Sequence, residues 1–226
     1  MKDNPHVEKG VLTGILRVAK ESMFSGLNNL QVFSLLREPF ATSFGFTEGE
    51  VEGLCADFAL TQSQRDTLRS WYNGYRFGGK VIYNPWSVLS YLKNRSERPQ
   101  PYWVNTGGDA LIRKLLIDAG LEVEADMEAL LKGGSIEKPV DEHTVFRDLE
   151  EKSDAVFSFL VMSGYLRVDE FVRQDEEGRE YWRLSIPNKE VSTVYRRLFL
   201  DWLNTSVGGE PRQRALCKAL LSGDAA

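Results

Sequence analysis

Gly74-Tyr75-Arg76-Phe77-Gly78-Gly79-Lys80 satisfies GxxxxGK, the pattern of a phosphate-cradling loop, but the next position holds Val81. That chemistry asks for a Ser or Thr hydroxyl there to hold magnesium. It also asks for a helix starting at the lysine, so that backbone N–H groups face the phosphates. Here Val81-Ile82-Tyr83 is strand-favouring and Asn84-Pro85 stops it. The stretch is therefore expected to form a hairpin with an exposed lysine, not a nucleotide cradle.

A second pattern imitates a metal-dependent nuclease. Pro139-Val140-Asp141 and then Glu150-Glu151-Lys152 follow the order PD…ExK. The acids and the lysine of such a site must converge on one ion from adjacent strands. Glu150 and Lys152 instead sit in a charged, helix-favouring run without β-branched neighbours, which reads as a solvated face. His6 and His143 are not at ligand spacing, so no zinc site is expected. Cys55 and Cys217 make no CxxC and read as reduced thiols of a cytoplasmic protein. GxSxG is absent and no serine adjoins a histidine, so no nucleophile–base pair is suggested.

The totals narrow the partners. With 226 residues, 42% hydrophobic and 27% charged, the chain can bury a sizeable core in one large or two modest domains. A net charge of −5 argues against a strong grip on nucleic acid or an anionic membrane. No apolar run reaches spanning length, and the first ten residues lack signal-peptide character.

The elements that would position any site gather around Leu68–Leu92, which holds Trp71, Tyr72, Tyr75, Phe77, Tyr83, Trp86 and Tyr91. Helix, Gly78-Gly79 hairpin and a second helix started by Asn84-Pro85 are expected, with Trp71, Tyr75 and Trp86 in their common core. Upstream, Val11–Leu16 reads as a buried strand, and Leu30–Leu36 as a second apolar run, strand or helix. Thr47 and Glu50 make a capping box, and Thr61 or Ser63 starts the helix into Trp71. Further helices are expected from Asn105 to Gly120, over Glu124–Lys132 and over Val156–Met162. Ser135–Pro139 looks extended. Tyr165–Arg173 and Glu180–Ile186 form a hairpin, and Pro187-Asn188 caps a long helix carrying Val191, Val194, Tyr195, Leu198 and Trp202 on one stripe. Glu210–Leu221 could form a terminal helix.

Several blocks follow one another as in the bacterial predicted AAA-ATPase-like family, in which the ATPase-like region is often followed by a PD-(D/E)XK nuclease-type domain. They are VLTGILRVAKESMFSGLNNLQVFSLL, FGFTEGEVEGL, WYNGYRFGGKVIYNPWSVLSYL, PYWVNTGGDALI and FLVMSGYLRV…IPNKEV. The resemblance covers residues 4–204. It implies a P-loop core, a helical lid and a winged-helix-like region; the family's P-loop block lies upstream of VLTGI and is expected to be missing here.

The expected fold is α+β and mostly α. A remnant of the parallel ATPase sheet would occupy residues 1–44, a lid-type helical bundle 45–135, a winged-helix-like unit 136–205, and a linker with a terminal helix 206–226. In ATPases of this kind the strand resembling VLTGI carries a polar sensor and the lid can supply an arginine. The resemblance thus makes Thr13 the candidate sensor, Arg17 its neighbour and Arg76 the lid arginine, each competing with a purely structural role. It implies ATP and magnesium for a full-length member and no cofactor for this chain alone. The expected function is a nucleotide-sensing, regulatory module without turnover, with a nucleic-acid-binding winged helix or a protein-interaction module as alternatives. Expected partners are proteins: its own ATPase core, a downstream domain or a second copy. DNA is disfavoured, because the tip of the second hairpin, Arg173 to Glu180, carries four acids against two arginines.

Overall fold

The computed structural model describes residues 6, 8–16, 31–94, 98–103, 112, 121–151 and 154–206. Within them the chain mixes helices with two small antiparallel sheets, an α+β arrangement. Its first half is built on local signals. Thr47 and Glu50 close a capping box on α1 (Glu48–Asp57), and Thr61 with Gln64 does the same for α2 (Gln62–Tyr72). Each box satisfies two N–H groups that a helix start leaves without partners. Strands β1 (Tyr75–Phe77) and β2 (Lys80–Ile82) then pair Tyr75 with Ile82 and Phe77 with Lys80. Gly78 and Gly79 turn between them at φ 50° and 77°, a turn open to two glycines without strain. Past β2, Tyr83 exchanges both backbone bonds with Phe46, which ties the start of α1 to the hairpin. Helix α3 (Pro85–Lys93) begins where Asn84 accepts from the N–H groups of Trp86 and Ser87.

The second half is α4 (Leu121–Leu131), β3 (Ile136–Pro139), the short α5 (Asp148–Glu151), α6 (Ala155–Met162), β4 (Arg167–Gln174), β5 (Glu180–Ser185) and α7 (Lys189–Ser206). Strand β5 lies in the middle of its sheet, paired antiparallel to β3 and to β4. Every residue from Ala155 to Val161 is buried, so α6 is enclosed on all sides. The main core joins α6, Leu184 of β5 and Val191, Val194, Tyr195 and Leu198 of α7, and it takes in Tyr75 and Ile82 from the first hairpin. A smaller core unites Val51, Cys55, Leu68, Tyr72, Tyr83, Val88, Tyr91 and Leu92.

Three expectations meet a different structure. Val11–Leu16 forms no strand, and Val11, Leu12 and Ile15 are exposed, as an apolar run must be when no neighbouring strand covers it. Residues 31–36 are likewise irregular, and both sheets are antiparallel, so no parallel remnant is present among the described residues. Trp86, expected in the core, is 59% exposed. The cap at Asn84 sets the phase of α3 so that Ser87, Val88, Tyr91 and Leu92 face inward and Trp86 faces out. Glu150 lies in a helical turn, which removes the strand a nuclease pattern would need; Lys152 is outside the described residues. Of the helix expected over 105–120 the described residues include Ile112 alone, helical and buried in the main core, while the helix expected over 210–221 and Arg17 lie outside them.

Candidate functional site

The GxxxxGK hairpin is a docking element. Gly74 has φ 109°, and a Cβ there would fall 2.1 Å from the carbonyl oxygen of Pro187, just ahead of α7. A Cβ on Gly78 would fall 2.5 Å from Arg37 O and from Glu38 Cα. The Gly78 N–H donates to Leu35 O at 2.7 Å. These glycines are occupied by passing backbone, the same close approach that a phosphate would otherwise require. Lys80 is exposed at the start of β2, with no helix behind it.

Arg76 is spent on the second sheet. Its guanidinium donates to the Asp169 carbonyl of β4 at 2.9 Å. Arg167 reaches back from β4, donating to Gly74 O at 3.4 Å and to Ser185 Oγ at 2.9 Å, while pairing with Asp169 at 2.8 Å. Two arginines thus brace hairpin and sheet from opposite sides. Of the other sites the resemblance suggested, Thr13 is exposed in an irregular stretch and Arg17 lies outside the described residues. No contact joins Thr13 to Arg76 among those described.

The most unusual polar group is Glu190, in the first turn of α7, where Asn188 caps by accepting from the Val191 N–H at 3.1 Å. Glu190 and Ser87 are both fully enclosed. The Ser87 hydroxyl donates to the carboxylate at 2.8 and 3.0 Å, and the Trp103 N–H donates to Oε1 at 2.8 Å. No Lys, Arg or His pairs with it among the described residues. Burial pushes the carboxyl above its ordinary range, against hydrogen bonds from the Trp103 backbone, Ser87 and the Tyr102 backbone. The phenols of Tyr72 and Tyr75, which feel its charge, are pushed up chiefly by their own burial. One carboxyl therefore joins α3, the 101–103 segment and α7.

Sequence reasoning passed over Glu190. The signal was there: it stands four residues before Val194, on the stripe that α7 buries. Enclosed in this way, it can bind a proton and hold neighbours, but it cannot reach a substrate. Among the described residues no three His, Cys, Asp or Glu side chains gather to hold a metal ion, and no helix is long and apolar enough to cross a membrane.

No protein family's description matches the chain, and no solved structure does. It is similar to a curated protein of Azotobacter chroococcum mcd 1, described as "Uncharacterized protein in vnfD 5'region", at 30% identity over 220 residues. The match takes in 97% of this chain and 40% of that protein, so the chain spans about two fifths of its relative's length.

Proposed function

We propose that the chain is a non-catalytic regulatory and protein-interaction module, the lid-like and winged-helix-like portion of an AAA-like ATPase region, with no ATP turnover of its own. The observation that carries this reading is the fate of the GxxxxGK match. Its glycines accommodate the backbone of Pro187 and of Arg37-Glu38, and its lysine stands exposed at a strand. No phosphate could take that place without displacing protein. The order β3-α5-α6-β4-β5, with β5 central in the sheet, supports the winged-helix reading of residues 136–205. Exposed apolar side chains support an interaction role: Val11, Leu12, Ile15, Val32, Phe33, Phe40 and Phe44 all lie in the first 44 residues. On the same proposal Thr13 and Arg17 would meet a nucleotide only if a separate phosphate-binding core supplied it, and the chain works in the cytoplasm with protein partners.

Calorimetric titration with Mg-ATP tests the central claim. No saturable heat is expected in the micromolar range, where binding would release about 8 kcal/mol of free energy. Micromolar affinity that disappears in Lys80→Ala would refute it.

A further inference from the structure

Residues 100–103 are clamped onto the body at three places. Tyr72 Oη donates to Gln100 O at 3.1 Å, and the Gln100 N–H donates back to Tyr72 Oη at 3.3 Å. The Trp103 ring stands edge-on to Tyr75, centroids 6.4 Å apart, and lies 5.1 Å from Tyr165. The third hold is the Trp103 N–H on Glu190. Of the three, only the third contains a group that titrates in the carboxylate range.

We propose that Glu190 is a proton-operated latch: neutral, it holds residues 100–103 against α3 and the start of α7, and ionised, it favours their release. Burial decides the direction, against three donors that favour the ionised form. From α3 it meets the Ser87 hydroxyl, and from the 101–103 segment the backbone N–H groups of Trp103 and Tyr102. From α2 and β1 the titratable groups around it are the phenols of Tyr72 and Tyr75, which are neutral throughout. Arg167, which braces the hairpin against the second sheet, is held by Asp169, Ser185 and Gly74. On α7 itself the preceding Lys189 is exposed. A proton on the carboxyl removes a buried charge that no cation among the described residues offsets, and an acid O–H can still bond Ser87 Oγ while the other oxygen accepts from Trp103. Loss of the proton leaves that charge enclosed, and lifting residues 100–103 is the simplest way to hydrate it.

The sign follows from linkage. On this proposal the enclosed carboxyl of the docked state binds the proton more tightly than the hydrated carboxyl of the open state, so docking is strongest at low pH. It weakens as pH rises from the ordinary carboxylate value of about 4.3 until the docked carboxyl has itself ionised. Amide exchange of Trp103 by NMR, corrected for the intrinsic pH dependence of exchange, reads this in the full chain. Wild-type protection should fall by about tenfold per pH unit over that interval, and in Glu190→Gln it should be flat. The carboxyl carbon of Glu190, followed in the wild type, should titrate above its ordinary range, at the pH where the loss of protection ends. A wild-type protection profile as flat as that of Glu190→Gln would overturn the latch. So would a carboxyl inflection at or below about 4.3. If Glu190→Gln does not fold, the two wild-type curves decide alone: a shared end point supports the latch, and separate ones refute it.

Discussion

Gly78 and Gly79 form a matched pair that isolates the docking of residues 31–44 onto the hairpin. Both have positive φ, where an L-residue costs about 1–2 kcal/mol. They differ in what a methyl group meets. At Gly79 there is nothing within 4 Å, whereas at Gly78 the new atom lies 2.5 Å from two backbone atoms of Arg37 and Glu38. That backbone cannot yield cheaply. Arg37 is paired with Glu142 at 2.6 Å, Ser34 Oγ donates to the same carboxylate at 2.6 Å, and Leu35 O accepts the Gly78 N–H.

Gly79→Ala is therefore expected to cost about 1–2 kcal/mol, the conformational term alone. Gly78→Ala adds a strained or lost hydrogen bond, about 1 kcal/mol, and displaced packing of similar size, for about 3–4 kcal/mol in all. Urea denaturation of both variants measures the difference. Limited proteolysis under native conditions should find residues 31–44 opened in Gly78→Ala only. Equal midpoints, within about 0.5 kcal/mol, would mean that residues 35–38 do not sit on the turn, and the account of why glycine stands there would fail.

The exposed face of α3 gives a second prediction: Trp86→Ala should shift stability by no more than about 0.5 kcal/mol, while Leu184→Ala, at a fully enclosed position, should cost about 2–5 kcal/mol; a melting temperature that collapses in Trp86→Ala would contradict this placement. The second hairpin gives a third. Its arginines are already engaged, Arg179 by Asp175 and Glu177, Arg173 by Glu137 and the Tyr181 ring, and Arg183 by Glu170. Fluorescence anisotropy with duplex DNA at about 0.15 M salt should show no saturable sub-micromolar binding; such binding, lost when Arg196 and Arg197 become alanine, would promote the nucleic-acid reading.

What the sequence made legible was local. Capping boxes need residues three apart, and a two-residue turn with positive φ at both positions favours a pair such as Gly-Gly, so Thr47, Thr61, Gly78-Gly79 and Asn84-Pro85 can each be read without knowing the rest of the chain. The phase of α3 was legible too, once its start at Pro85 was fixed. Aromatic density points the other way: proximity in sequence groups Trp86 with Trp71 and Tyr75, although position on the helix decides burial. Hydrophobic content misled again at Val11–Leu16. An apolar run states a need for cover, and the cover belongs to other segments, so the run alone could not tell a paired strand from an exposed one.

The long-range joins had no local signature, and that explains why a phosphate motif could occur here without its function. Arg76 meets Asp169 across 93 residues, and Gly74 meets Pro187 across more. A glycine records only that something comes close to its Cα. Phosphate oxygen, carbonyl oxygen and Cα exert the same selection at that position, so GxxxxGK alone cannot distinguish them. The residue after the lysine can. A Ser or Thr opening a helix commits the lysine's surroundings to an anion, whereas a β-branched residue leading to Asn-Pro commits them to a strand end and a capped helix. Val81 therefore carries more information about this hairpin than the three glycines before it.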